Sequence, residues 1–124
     1  MDTENSGNGS VQRPADLDAI TAAPDNHAVL LENDTVRVLD TRIAPGERTP
    51  VHTHQWPSVL CILSWSDFIR YDADGQVLVD SRAFTAKTDL GATFWSDALG
   101  PHSAENVGNQ ELRVITVELK HPRT

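Results

Sequence analysis

Between His27 and Lys120 turn-forming residues break the chain so often that it reads as a succession of short strands. Asn33-Asp34, Ala44-Pro45-Gly46-Glu47, Ser64 to Asp67, Asp72-Ala73-Asp74-Gly75, Thr88 to Gly91 and Gly108-Asn109-Gln110 each end an apolar or alternating run. The runs between them are His27 to Glu32, Thr35 to Ile43, Arg48 to His54, Ser58 to Leu63, Phe68 to Tyr71, Gln76 to Asp80, Arg82 to Ala86, Ala92 to Ser96, His102 to Val107 and Glu111 to Lys120. Ser58 to Leu63 is almost continuously apolar, the pattern of a strand covered on both faces. Helical periodicity is nearly absent. Many short strands with Gly, Asp and Asn turns predict an all-β sandwich or barrel.

The ends differ from this. Met1 to Pro14 is rich in Asn, Ser and Gly and carries almost nothing apolar, the composition of a disordered arm. Asp16 is placed to cap a short helix through Ala22, with Leu17 and Ile20 on one face, before Pro24 stops it. That helix is expected to plug one end of a barrel. At 124 residues the chain supports one hydrophobic core. Its net charge of -8, from 18 acidic against 10 basic residues, argues against a nucleic-acid partner. No apolar run approaches membrane-spanning length and no basic, then apolar leader opens the chain, so a soluble cytoplasmic protein is expected. The single cysteine, Cys61, has no internal disulfide partner and is expected as a small, inert core residue.

The chemistry concentrates in Gly46 to His54, Gly-Glu-Arg-Thr-Pro-Val-His-Thr-His. On a strand, His52 and His54 leave the same face roughly 7 Å apart along the backbone, within reach of one ion at about 2.0 to 2.1 Å from each ring nitrogen. A third ligand must come from elsewhere, and His102 is the best placed, following a turn-like Gly100-Pro101. Gln55 and Glu105 alternate to the opposite face, Glu47 lies in a turn, and His27 and His121 read as a strand-start and a tail residue without partners. There is no nucleophile elbow, phosphate-cradling loop, dinucleotide fingerprint or paired Cys-x-x-Cys.

These residues resemble the two motifs of the cupins. The first, G-x5-H-x-H-x(3 or 4)-E-x6-G, is matched by Gly46, His52 and His54; the second, G-x5-P-x-G-x2-H-x3-N, by Gly91, His102 and Asn106. The glutamate position falls on Ser58 or Val59, the closing glycine on Ser66, and the inner proline and glycine of the second motif on Asp97 and Leu99. The resemblance covers roughly Leu30 to Lys120 and implies a single-domain jelly-roll barrel over residues 27–121, preceded by an arm and short helix over 1–26.

The resemblance further implies a metal inside one end of the barrel, held by His52, His54 and His102. Neutral imidazoles suit a divalent transition metal, iron first, with zinc, nickel, copper, manganese or cobalt as the other choices. With no glutamate the ion keeps its full charge and favours an anionic, chelating ligand. Cupins with three histidines include thiol dioxygenases and diketone-cleaving dioxygenases. The implied activity is therefore a mononuclear non-heme iron dioxygenase acting on a small anionic or enolisable molecule, of the diketone, thiol or phenolic acid class. The alternative is a zinc- or nickel-holding isomerase or lyase, or a non-catalytic small-molecule-binding cupin, favoured by the absence of a recognisable acid or base near the site. The thiol-enzyme crosslink between a cysteine and a tyrosine is not expected, because Val59 occupies the cysteine's position and Cys61 lies two residues further along.

Around the ligands, Ser58 is a candidate to hydrogen-bond a metal-bound water, and Asn106 to orient backbone or a ligand imidazole. Trp56, Trp65, Phe94 and Trp95 are candidates for the barrel core, at least two of them expected there, with Trp56 or one of Phe94 and Trp95 at the pocket mouth. A small-molecule ligand is the expected partner, with no nucleic acid and no membrane. The run Glu111 to Lys120 and the apolar Val29 to Leu31 read as sheet edges that a homodimer would cover.

Overall fold

Turns set the topology. The structure, a computed structural model, describes residues 15–84 and 92–120. At Ala44 to Glu47 the Glu47 amide donates to the Ala44 carbonyl (2.9 Å) and Gly46 takes φ +79°, so only glycine turns the chain here without strain. At Asp72 to Gln76, Gly75 takes φ +87° while the Asp72 carboxylate accepts from the amides of Asp74 and Gln76 (2.9 Å each), closing a three-residue hairpin.

Between such turns run β1 (His27–Glu32), β2 (Val36–Ile43), β3 (His52–His54), β4 (Ser58–Ser64), β5 (Phe68–Asp72), β6 (Val77–Asp80), β7 (Thr93–Ser96), β8 (Leu99–Asn106) and β9 (Leu112–Leu119), preceded by a helical turn α1 (Ala19–Ala22). They form two antiparallel sheets, ordered β1-β2-β9-β4-β7 and β3-β8-β5-β6. This is the jelly-roll arrangement that the motifs imply. No helix among the described residues is long and apolar enough to cross a membrane.

Register stacks the inner face of the larger sheet in rows. Arg37 and Ser58 both lie opposite Glu118; Leu39 and Leu60 both lie opposite Thr116; Thr41 and Ile62 both lie opposite Val114; Ile43 lies opposite Leu112. The lower rows supply the apolar core of Ile43, Ile62, Leu112 and Val114, against which Trp65, Phe68 and Ala104 pack from the other side. The top row is charged and buried. Polarity along β9 thus decides which end of the barrel is chemical.

Several expectations change. The Gly100-Pro101 turn is part of β8, at a register shift where His52 pairs with His102 but His54 pairs with Leu99. β5 pairs with β8 only from His102 onward, so Pro101 costs no ladder bond on that side. The ligand strand is only His52–His54, with Arg48 making an isolated bridge to Glu105. β4 is covered on its inner face alone, and Cys61 sits half-buried on the outer face rather than in the core. β9 lies between β2 and β4 and is no edge; β1 is one. Asp18, not Asp16, caps α1, whose buried residue is Ala19 rather than Leu17 or Ile20. Ser81–Ala83 is a helical turn capped by Phe84 where a strand over Arg82 to Ala86 was expected, and Thr85 and Ala86, the Thr88 to Gly91 turn with the motif glycine, the arm Met1 to Pro14 and His121 lie outside the described residues.

Asn106 ties the turn end of the barrel. Its Oδ1 accepts from Ser66 Oγ (2.7 Å) and the Gly108 amide (3.0 Å), and its Nδ2 donates to the carbonyls of Ile43 and Gln110 (2.8 Å each). It orients backbone, as one of its two expected roles had it, and does not reach a histidine. Asn106→Ala is expected to lower stability by roughly 3 to 5 kcal/mol in urea denaturation, because it leaves several buried groups without partners. A loss under about 1 kcal/mol would show that these loops are held by other contacts.

Candidate metal centre

The start of β1, at the edge of one sheet, comes up against β3, at the edge of the other, and four histidines gather there. His52 and His54 come from β3, His102 from β8 and His27 from the start of β1. Ring centroids lie 4.4 Å apart for His52 and His102, 4.8 Å for His27 and His52, 5.2 Å for His52 and His54, 5.3 Å for His27 and His54 and 5.6 Å for His54 and His102. Ligand atoms of His27, His52 and His54 all lie within 4.8 Å of one another. His102 is only 4 % exposed and turns inward beside them.

Every ring is held the same way. Nδ1 of His27 lies 3.0 Å from the Ala23 carbonyl, Nδ1 of His52 2.8 Å from that of Pro50, and Nδ1 of His102 2.7 Å from that of Gly100. A carbonyl only accepts, so each Nδ1 must carry the hydrogen, and Nε2 is the nitrogen left to coordinate. His54 Nδ1 points at the Glu118 carboxylate (3.0 Å), with the same consequence. A fixed donor on the far nitrogen is the usual support of a ligating imidazole. Burial, opposed by these carbonyl bonds and reinforced by the neighbouring rings, lowers His27, His52 and His102 from 6.5 to about 3. They are neutral at physiological pH, the form a metal requires.

Glu118 is anchored in turn. It is wholly buried, and its Oε1 accepts from Arg37 Nε at 2.5 Å. Arg37, itself buried, reaches with its other nitrogens to both oxygens of Asp18 (2.9 and 3.1 Å), the cap of α1. Burial works against the charge on Arg37, but its bonds to Asp18 and Glu118 win and hold its pKa above the ordinary value. The segment expected as a plug therefore belongs to the site: Asp18 bridges Thr53 between the two β3 histidines, and Ala23 aims His27.

A cavity of about 140 Å³ opens from the imidazoles between the sheets. His27, His52, His54, Ser58, His102 and Arg70 line its polar end, and Leu60, Ile62, Trp65, Phe68 and Val114 the apolar end. Among the described residues no aspartate or glutamate lines it. Of the two positions offered for the motif glutamate, Ser58 faces the cavity and Val59 does not. The other expected neighbours lie elsewhere. Cys61 and Val59 share the outer face of β4; Trp56 packs beneath Arg37 and Lys120 (5.0 and 5.4 Å to its centroid); Trp95 is 59 % exposed and bonds Asp97. Phe94 is exposed too, so of the four aromatics Trp65 alone both lines the cavity and packs on the core.

Sequence reasoning missed His27, Glu118, Arg37 and Arg70. A charged residue in the inward phase of an alternating strand was the available signal for Glu118 after Leu112, Val114 and Thr116, and for Arg37 before Leu39, Thr41 and Ile43. His27 has no such signal, because only the meeting of two sheet edges brings it to the others.

Acid should destabilise the metal-free protein through these rings. Their folded pKa lies below the unfolded one, so the unfolded chain binds more protons between about pH 6.5 and pH 3. Stability is expected to be level above pH 6.5 and to fall on acidification through that window, by on the order of several kcal/mol in all. His102→Gln should flatten the slope measured by denaturation at successive pH values, and an unchanged slope would exclude His102 as a contributor.

No protein-family model matches the sequence and no curated protein matches it. Solved structures do. A cupin domain from Bordetella pertussis Tohama I superposes with a TM-score of 0.61 at 20% identity, covering 76% of this chain and 91% of that one. An RmlC-like cupin with a double-stranded β-helix fold from Methanocaldococcus jannaschii gives 0.54 at 16% identity over 77% and 80%. A protein with a double-stranded β-helix domain from Klebsiella pneumoniae gives 0.53 at 17% identity over 79% and 78%. Two sheets rolled around an inward-facing histidine cluster, and these superpositions, assign the chain the fold of the cupins.

Proposed function

We propose that this chain is a metal-dependent cupin in which His52, His54 and His102 hold one divalent transition metal, with His27 the fourth imidazole at its edge. The observation that carries the reading is the shared orientation of the rings: each has its Nδ1 committed to an acceptor, so the Nε2 atoms alone remain for an ion. The donor set is nitrogen only, which suits iron, zinc, copper, nickel or cobalt rather than calcium or magnesium. Iron(II), when bound, would accept a chelating anion and activate dioxygen. The chain's own part is to keep His52 and His102 neutral, to orient all the imidazoles, and to offer the substrate a chamber that no carboxylate among the described residues lines. We favour a mononuclear iron dioxygenase on a small anionic or enolisable molecule.

His27 supports the second reading. Four neutral nitrogens would fill a tetrahedral zinc shell, leaving no open position and a metal that is structural or that anchors a ligand weakly. Metal analysis of protein grown in iron-rich medium separates the two. Iron with oxygen uptake on a panel of β-diketones, small thiols and phenolic acids supports the first; full zinc occupancy without uptake supports the second.

Two further outcomes are expected. His52→Ala and His102→Ala should abolish stoichiometric metal binding, while Glu118→Gln should weaken it by roughly 10- to 100-fold by releasing His54; wild-type affinity in all three would sink the reading. We also infer that a second copy of the chain pairs along the β1 edge, where Val29, Leu30 and Leu31 are exposed. Leu30→Lys should then shift the solution mass from dimer to monomer, and a wild-type protein that is already monomeric overturns this.

A further inference from the structure

Among the described residues Arg70 is the arginine without a counterpart. Every other arginine among the described residues is matched: Arg37 by Asp18 and Glu118, Arg42 and Arg113 by Asp40, Arg82 by Asp80, and Arg48 by the Ser103 hydroxyl and the Tyr71 ring. Arg70 has no hydrogen bond, ion pair or aromatic partner among the described residues, yet it lines the cavity and is sufficiently desolvated that burial alone pulls its pKa down. Holding an unmatched guanidinium in such a place is unfavourable unless something enters to meet it.

Its position says where that partner would sit. Arg70 lies opposite Ala104 on the inner face of β5 and β8, so His102 is its diagonal neighbour, about 7 to 8 Å away across the strand pair. The two are close enough for the guanidinium to disfavour protonation of His102. Among the described residues no carboxylate lines the cavity to neutralise Arg70, and the walls beyond it are Leu60, Ile62, Phe68 and Val114. At about 140 Å³ the space is that of a site holding a benzene-sized body.

From these observations we infer that Arg70 is the specificity-determining anchor for the carboxylate of a small organic acid, whose apolar body of at most about six carbons fills the chamber between the sheets. The guanidinium fork matches a carboxylate with two parallel bonds. This selects a carboxylic acid over a neutral diketone as ligand. That the bound acid also reaches the ion rests on the metal reading above; the pairing with Arg70 does not.

The test keeps the two apart. Butyrate, hexanoate and benzoate, each beside its amide, are titrated into metal-free and zinc-loaded protein and followed by calorimetry, with zinc stoichiometry measured in parallel. Wild type is expected to bind each acid at least roughly tenfold more tightly than its amide, in both forms. Arg70→Gln should erase that preference with zinc stoichiometry unchanged, and Arg70→Lys, which keeps the charge but not the fork, should retain part of it. Arg70→Met, apolar and of similar length, is the second neutral variant should the glutamine form not fold, and it should melt higher than wild type because it removes an unmatched, half-buried charge. An acid preference surviving in the neutral variants, or no preference in wild type, overturns the proposal. Loss of zinc binding in wild type, with the acid preference intact and dependent on Arg70, sinks the metal reading alone.

Discussion

The pairing of Glu118 with Arg37 is the interaction on which the chemical end of this barrel depends. A carboxylate with no exposure is tolerable only when its oxygens are met by donors, and register alone places Arg37 beside it on β2 and Ser58 on β4. One oxygen takes the Arg37 Nε–H and the other the His54 Nδ1–H. Arg37 in turn holds Asp18, so the charge chain runs from the cap of α1 through the larger sheet to an imidazole of the smaller one. Two sheets and an N-terminal turn, contributed by distant stretches, are locked together by a single run of charge-assisted bonds.

That arrangement separates charge from cavity. Asp18, Arg37 and Glu118 lie behind the imidazoles, and none of them lines the chamber. Among the described residues that line it the only permanent charge is Arg70, and the remaining polar side chains are imidazoles and hydroxyls. An ion held there keeps more of its charge than one coordinated by the motif glutamate, and Ser58 in that position leaves a hydroxyl where a negative group would stand.

The strand succession was legible residue by residue because its turns are local: Pro45-Gly46 and Asp72 to Gly75 fold as their side chains and φ preferences dictate. The motif histidines were legible too, since alternation puts His52 and His54 on one face whatever the rest does. What misled the reading was burial. Cys61, Val59, Phe94 and Trp95 look like core residues by composition, but which face of a strand is covered depends on what packs over it: Val59 and Cys61 lie on the outer face of β4, and on the edge strand β7 neither Phe94 nor Trp95 is covered. Asn106, in motif register with the ligands, spends all its bonds on loops at the turn end.

The amino-acid order by itself determined that this chain is a succession of short strands rolled into two sheets, which follows from short-range turn chemistry, and that His52 and His54 share a face, which follows from a period of two; His102 was added by its place in the second motif. Only the tertiary structure decided that His27 joins them, that Glu118 and Arg37 stand behind His54, and that Arg70 faces the chamber unmatched. Those relations are set by which strand edges meet and which rows align, and neither strand pairing nor the closure of a barrel leaves a mark within any one stretch of residues.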